Sequence, residues 1–398
     1  MDKTLKPRAV IASLALMMAY GAYNYSNGYF ASSVSEALGC TRAQYSLTLT
    51  VMSAVAVLTA PLWGRILKKH DVMRRGILVG AAVGAFVFFL YSRASSYTAL
   101  YPAAALLGFV CNNCTMICSG IIINNAFSSG SGMALGLAMS GSGIGGAILG
   151  LIIPTVIERQ GWRSGYMTMA VFWGVLLLLA FLLSKGLGES ERTPTEDVSA
   201  SDSSDPDWRT VSRSPDYFLL LFIVFVFCMN TVFSQHMPTF FVEMGKSPSA
   251  AGYIVTSFTL FLIGAKILMG KACNAVGMTR STFICSIAFP IGMWLWLFSG
   301  GNTFVIIVGA AILSLGHSVC NVVFPLATRR LFGNKCYVQA WSVITAVITA
   351  GYAVGSPVWG WFYDSSGSYK TAVLYTPLSA VVCFLLFLVL VRRRSARS

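Results

Sequence analysis

The run FTLFLIGAKILMG places one lysine, Lys266, inside an apolar stretch, four residues before Gly270. An ammonium at the centre of a membrane helix costs about 2.5–3.5 kcal/mol on insertion scales, and charges at that depth commonly mark ligand or ion pathways. All 14 Asp and Glu fall in loops or at expected helix ends, so no carboxylate shares the apolar runs with it. A cation in that setting suits an anionic ligand, unless the amine sheds its proton. The competing reading is snorkelling. Taking Gly270 as the cytoplasmic end of the helix, the interface lies roughly 6 Å away, within reach of a lysine stem.

His317 lies mid-way along another apolar run, with Asn321 at i+4 on the same face. An imidazole there binds an anion, carries a proton near neutral pH, or simply bonds a neighbouring helix. Asn24, Asn113 and Asn230 are amides in apolar runs; Tyr20 shares a face with Asn24, and Ser234 with Asn230. Such groups serve a solute or interhelical hydrogen bonds. Tyr23, Tyr352 and Trp341 offer aromatic walls, or packing and belt positions. His236, just before Pro238, reads as structural or as part of an outer gate. Cys111, Cys114 and Cys118 have a metal-like spacing but sit among small apolar residues, where free cysteine packs as a small hydrophobe. No GxxxxGK[ST] loop and no HExxH set occurs, and no nucleophile–base pair emerges. ATP-driven transport, metal chemistry and catalysis are therefore not expected, and no cofactor is.

These residues need elements to carry them. The 398 residues are 56% hydrophobic and 11% charged, against roughly 25% charged for a soluble domain. Apolar runs of about 20 residues match the length a helix needs to cross the hydrocarbon layer, where backbone groups must pair within the segment. Stretches such as Val171 to Leu183 do not alternate, which excludes a β-barrel. The fold class is thus an all-α membrane protein. Twelve spans are expected: 9–31, 44–67, 74–92, 98–123, 132–157, 164–185, 216–240, 249–270, 281–298, 303–328, 336–362 and 371–391. Residues 186–215, rich in Ser, Asp and Pro, cannot bury enough apolar surface to fold alone. They separate an N-terminal bundle, 1–185, from a C-terminal bundle, 216–398, with a basic tail.

The net charge of +14 reports topology. With a cytoplasmic N-terminus, only Arg42, Arg93, Arg159, Arg163, Lys246 and Lys370 fall outside, and Lys266 within a span; the remaining Lys and Arg are cytoplasmic. This is the positive-inside pattern. It implies a multi-pass protein of a cell (inner) membrane with both termini cytoplasmic, and no nucleic-acid partner. Lys3, Lys6 and Arg8 before the first apolar run resemble a signal peptide, but the repeat described next requires that helix. Glu158, Arg159, Asp364 and Lys370 read as solvated loop charges.

The two halves match at a nearly constant offset. Gly64 and Gly270, Asn24 and Asn230, and Gly161 and Gly367 are each 206 apart; Gly108 and Gly316, and Asn113 and Asn321, are 208 apart. A parallel repeat of two six-helix halves is the signature of one transporter architecture.

The loop GRILKKHDVMRR, Gly64 to Arg75, resembles the Gly-x-x-x-Asp-Arg-x-Gly-Arg-Arg loop of the major facilitators. Lys68 stands where the family acid belongs, and Arg74 and Arg75 follow at a longer spacing. The second copy, GKACNAVGMTR, keeps Gly270 and Gly277 and has Asn274 at the acid position. The resemblance implies the major facilitator fold, two pseudo-symmetric six-helix bundles, with these loops holding the inward gate. With both acids replaced, that gate uses other partners. The segments SGSGIGGAILGLIIP and GYAVGSPVWGWFYDSSGSY also fit, their small residues serving close helix packing.

Within the superfamily, YSNGYFASSVSEALGCTRAQYSLTLT and AKILMG resemble the oxalate:formate antiporter and monocarboxylate transporter group. In that group a basic residue four positions before the glycine binds the substrate carboxylate; Lys266 occupies that place. Leu262 stands where monocarboxylate transporters have Asp, and 336–362 lacks the lysine of oxalate exchangers, which argues against a dicarboxylate clamped at both ends. The expectation is a secondary transporter, monomeric in the bilayer, for a small organic anion, a monocarboxylate, with a proton or counter-anion as coupling partner. Its substrate would meet Lys266, His317, Asn321, Asn113, Asn24, Asn230, Tyr20 and Tyr352. Carriage of a neutral solute or drug export are the alternatives within transport, and a non-transporting membrane sensor lies outside it. The absence of an acidic residue in the spans argues against a cationic drug.

Overall fold

The computed structural model describes residues 5–40, 42–67, 70–127, 131–187, 207–246, 248–366 and 368–395. Their secondary structure is helical, in twelve long segments. These are α1 Leu5–Ala37, α2 Arg42–Ile66, α3 His70–Arg93, α4 Leu100–Ala126, α5 Ser131–Gln160 and α6 Trp162–Leu183. In the second half, α7 is Pro215–Thr231, continuing through Val232–Gln235 into Met237–Glu243; α8 is Pro248–Ala275 and α9 Met278–Leu297. Then come α10 Thr303–Phe332, α11 Tyr337–Ser366 and α12 Lys370–Ser395. Eleven of these carry stretches long and apolar enough to cross a membrane. The twelfth, α1, is helical over 33 residues, but its second half is diluted by the polar run Tyr23 to Asn27. The expected linker lies outside the described residues over 188–206, and its far end forms the short helix Trp208–Ser212. Lys68 also lies outside the described residues.

Helix ends follow local chemistry. Ser214 caps α7, accepting from the Tyr217 N–H at 3.2 Å, with Pro215 in the first turn. Asn302 caps α10 by accepting from Phe304 N–H at 3.0 Å. Gly277 makes the tight turn from α8 into α9 with φ +88°, and Gly161 the turn from α5 into α6 with φ +82°. A side chain rarely adopts that conformation, so glycine is required at both turns.

The chain forms two compact units, Met1–Ser204 with Trp341–Ala346, and Asp205–Ala340 with Val347–Ser398. In the first, α1 runs along α5, α3 along α6 and α2 along α4. Small residues permit the close approach: a Cβ at Gly21 would strike the Ser142 carbonyl, and one at Gly141 or Gly145 the carbonyls of Leu14 or Met18. In hydrocarbon there is no hydrophobic drive between helices, so such backbone proximity supplies the packing. Trp173 of α6 donates its indole N–H to the Gly80 carbonyl of α3 at 2.9 Å.

In the second unit α9 packs on α10 and α12, α8 on α10, and α7 on α12. Gly351 and Gly355 of α11 meet the backbone of α7 at Phe225 and Met229, and the Trp359 indole donates to the Met229 carbonyl at 3.0 Å.

Two of the twelve segments are broken in the second half where straight helices were expected. α7 tightens into a 3-10 turn at Val232–Gln235, and α10 into one at Ser318–Cys320. α4 instead loosens into a π turn at Asn113–Ile117. Turns of both kinds recur at functional positions.

Candidate functional site

Lys266 is fully buried, at 0% exposure, on α8. The helix does not end near Gly270. It continues to Ala275, nine residues beyond Lys266, a rise of roughly 13 Å. The expected four-residue distance to the helix end is therefore too short, and the full burial of the side chain argues against snorkelling. Helix α10 packs against α8 there, and Lys266 lies within electrostatic reach of both His317 and Cys320 on it.

His317 is the last residue of the α-helical stretch Thr303–His317, at the entry to the 3-10 turn. Its Nε2 lies 3.2 Å from the Thr231 carbonyl oxygen of α7. The Phe258 ring of α8 stands edge-on to the imidazole, with centroids 5.6 Å apart. The Nδ1 atom is buried, with no side-chain partner among the described residues. Around this pair gather side chains that, Tyr352 apart, the sequence did not single out. Cys320 Sγ lies 3.6 Å from Cys228 Sγ and 3.9 Å from Thr231 Oγ1. Cys285 donates its thiol to the Leu315 carbonyl at 3.4 Å, and Tyr352 bonds Cys228. Asn321 follows the turn and is half-buried. The second unit thus brings Lys266, His317 and Tyr352 into one polar, sulfur-rich neighbourhood with Thr231 and Cys320. The only sequence signals for these neighbours were their positions one or a few residues from Asn230 and His317.

The other asparagines are occupied differently. Asn24, Asn113 and Asn230 each donate to the carbonyl four residues earlier: Tyr20 at 2.9 Å, Phe109 at 2.7 Å and Val226 at 2.9 Å. Asn113 also donates to Thr59 Oγ1 at 3.1 Å, tying α4 to α2, and Asn230 to Ser379 Oγ at 2.7 Å, tying α7 to α12. Asn113 is fully buried, and its Oδ1 has no hydrogen-bond partner among the described residues. Tyr20 and Asn24 are half-buried on α1. Lys266 and His317 belong to the second unit, and Tyr20, Asn24 and Asn113 to the first.

Of the expected gating residues, Gly64 and Gly270 are buried, Arg75 and Asn274 exposed and Arg74 half-buried, its guanidinium 4.6 Å above the Phe181 ring. Cys111, Cys114 and Cys118 are buried along α4, and Cys118 donates to the Asn113 carbonyl at 3.3 Å.

Two polar networks stand apart from the expected substrate contacts, and of their members only Tyr23 and His236 were singled out by the sequence. In the first unit Tyr45 bonds the Tyr166 hydroxyl and Asn27 Oδ1, both at 3.0 Å, with Tyr23 and Tyr91 buried beside them. In the second, His236 Nδ1 meets the Tyr369 hydroxyl at 3.1 Å, while Glu243 accepts from the Ser368 hydroxyl and, at 3.1 Å, from the Tyr369 backbone N–H. A groove of about 470 Å³ in the first unit, lined by α5 and α6 residues such as Leu149, Gln160, Ser164 and Phe172, contains none of the candidate side chains.

The sequence matches the Major Facilitator Superfamily profile over residues 12–247 and 242–398. The chain belongs to the Major Facilitator Superfamily. Among superfamily relatives, Monocarboxylate transporter 12 of Homo sapiens is 23% identical over 372 residues, covering 85% of this chain and 71% of that protein. MFS-type transporter 1 of Ophiocordyceps sp. (strain BCC 1869) is 21% identical over 384 residues, covering 95% and 80%. Solved superfamily structures share the fold. The proton:xylose symporter XylE aligns with TM-score 0.76 at 11% identity over 96% of this chain and 94% of its own. The human organic anion transporter MFSD10 (TETRAN) aligns with TM-score 0.71 at 14% identity over 96% and 99%. The protein is a multi-pass membrane transporter of this superfamily, not an enzyme, and it resembles the monocarboxylate transporters.

Proposed function

We propose that the protein moves a small organic anion, a monocarboxylate, across a cell membrane by alternating access. The observation that carries this reading is the depth and sign of Lys266: a fully buried lysine in the middle of α8. Asp and Glu of the same unit sit toward the ends of its segments, such as Asp216 at the start of α7 and Glu243 at its end. A desolvated cation interacts with an anion far more strongly than it would in water, so a carboxylate entering this neighbourhood neutralises the charge that the fold has buried. His317, Asn321 and Tyr352 stand on segments of the same unit and offer polar contacts to the rest of such a molecule. Asn24, Asn113 and Asn230 contribute less, because the amide of each already donates to a backbone carbonyl; this weakens the neutral-solute alternative. Dicarboxylates lack a second cation, since Lys266 is the one basic residue placed mid-span by the sequence.

Coupling follows from the same charge map. With no carboxylate in mid-span, the movement is exchange for a second anion or cotransport with a proton carried by the substrate or His317. The distribution of Lys and Arg supports both termini lying in the cytoplasm. The test is counterflow in proteoliposomes with monocarboxylates, dicarboxylates, a sugar and a quaternary amine. Monocarboxylates are expected to exchange and the others not. Exchange of the sugar or the amine with no carboxylate movement contradicts the proposal. An imposed pH gradient that drives net uptake without internal anion then selects proton cotransport over exchange.

A further inference from the structure

We propose that Cys228 of α7 and Cys320 of α10 are a reversible redox pair: a peroxide joins the two thiols into a disulfide that ties the two broken helices together. The proposal does not depend on which solute the protein carries. The thiols already touch. Cys320 Sγ lies 3.6 Å from Cys228 Sγ, and both side chains are fully buried. A disulfide holds its sulfurs about 2.05 Å apart, so roughly 1.5 Å separates contact from bond. The backbones are close as well, because α7 packs against the turn Ser318–Cys320. Behind Cys228 stands α11: a Cβ at Gly351 would lie 2.8 Å from the Cys228 Cβ. That wall holds Cys228 against α10.

Thiols buried among apolar groups are inert, whereas thiols beside a cation react. Cys320 is of the second kind. Lys266 lies within electrostatic reach of it, and Thr231 Oγ1 is 3.9 Å from its sulfur. Tyr352 bonds the partner thiol of Cys228. Nearby thiols are directed elsewhere: Cys285 donates to the Leu315 carbonyl at 3.4 Å, and Cys383 to the Ile223 carbonyl at 3.9 Å.

The oxidant is a small neutral peroxide. The Cys320 sulfur attacks one peroxide oxygen and the O–O bond breaks, leaving a sulfenic acid and one water. The Cys228 sulfur then attacks the sulfenic sulfur. The S–S bond forms, the S–O bond breaks, and the departing hydroxide leaves as water with the Cys228 proton. Two electrons pass from the sulfurs to the peroxide. An added dithiol reverses the change by thiol–disulfide exchange.

The place of the bond gives its effect. Cys228 lies one turn before the α7 break at Val232–Gln235, and Cys320 ends the α10 break at Ser318–Cys320. Short 3-10 stretches inside longer helices often mark hinges. The disulfide fixes these two hinges to each other and so holds the second unit in one conformation.

The experiment treats the full chain in proteoliposomes with hydrogen peroxide and blocks remaining thiols with N-ethylmaleimide. Peptide mass spectrometry, amide hydrogen exchange, and counterflow of whichever solute the untreated protein exchanges are then measured. A Cys228–Cys320 linked peptide is expected. Exchange across both breaks is expected to slow about tenfold, and counterflow to fall about tenfold, with dithiothreitol restoring both. Cys228→Ser and Cys320→Ser, each compared with its own untreated rate, are expected to be insensitive to peroxide. Cys285→Ser and Cys383→Ser are expected to respond as the wild type does. Absence of the linked peptide from folded, treated wild type overturns the proposal. So does a linked peptide with exchange or counterflow unchanged, and so does a loss of counterflow that persists in Cys320→Ser. If the wild type moves no carboxylate, the anion reading falls alone, because the linked peptide and the exchange rates still decide this one.

Discussion

Asn113 and Asn321 stand 208 residues apart at matching places in the two halves, and the helix is irregular at both. In the first unit α4 widens into a π turn beginning at Asn113. Its amide donates to Phe109 and Thr59, and the residue is fully buried. In the second unit α10 narrows into a 3-10 turn ending just before Asn321, with His317 at its entry and Lys266 on the packed helix α8. Each irregularity carries a buried acceptor with no side-chain partner among the described residues, Asn113 Oδ1 in the first and His317 Nδ1 in the second; the second alone has a buried lysine on the helix packed against it. Packing follows the opposite rule. Gly141 and Gly145 on α5, and Gly351 and Gly355 on α11, recur at i, i+4 spacing against α1 and α7 respectively. The repeat has kept the backbone contacts and divided the chemistry.

That contrast can be attacked from its packing side first. Gly145→Leu would drive a side chain into the Met18 carbonyl, and overpacking of this kind costs about 1–3 kcal/mol or more. The expected outcome is a large fall in melting temperature or loss of folded protein, with Gly355→Leu doing the same in the second unit through Met229. Gly150→Ala, whose Cβ would meet only the Tyr29 hydroxyl at 3.6 Å, is expected to melt near wild type.

A smaller effect tests the division of chemistry. Asn113→Ala should lower stability by roughly 0.6–1 kcal/mol, the worth of an interhelical polar contact in lipid, and leave KM for the transported anion within twofold. Thr59→Val should cost a similar amount, and the double variant less than the sum, because both remove one hydrogen bond. A KM shift in Asn113→Ala equal to that of a Lys266 variant would erase the distinction between the halves. The smallest effect is at Gly264, two residues before Lys266, where an added Cβ meets nothing within 4 Å. Gly264→Ala is expected to stabilise by about 0.4 kcal/mol through unfolded-state entropy, with unchanged KM. A rise in KM there would mean that substrate passes directly over this face of α8.

The span pattern was legible because hydrocarbon imposes length and polarity together, and twelve expected segments correspond to α1–α12. What polarity could not show was where a helix continues past the apolar run. Lys271, Cys273 and Asn274 read as loop beyond Gly270, yet they extend α8 to Ala275, and this misplaced Lys266 relative to its helix end. The breaks in α7 and α10 lie four residues before prolines, Ser234 before Pro238 and Asn321 before Pro325, whose nitrogen cannot donate to the carbonyl four residues back; the His317–Thr231 contact then links the residues that enter the two breaks. The Tyr45–Tyr166–Asn27 network joins helices 18 and 121 residues apart in sequence, a separation no local periodicity records.

The central claim is that the buried charge of Lys266 carries the transported anion. Counterflow of the best monocarboxylate should be compared between the wild type, Lys266→Ala and Lys266→Arg, at matched amounts of folded protein in proteoliposomes. Removing one partner of a desolvated charge pair costs about 2–5 kcal/mol, so Lys266→Ala is expected to lose at least thirtyfold in kcat/KM, with Lys266→Arg recovering part of it. Wild-type counterflow in folded Lys266→Ala would contradict the account.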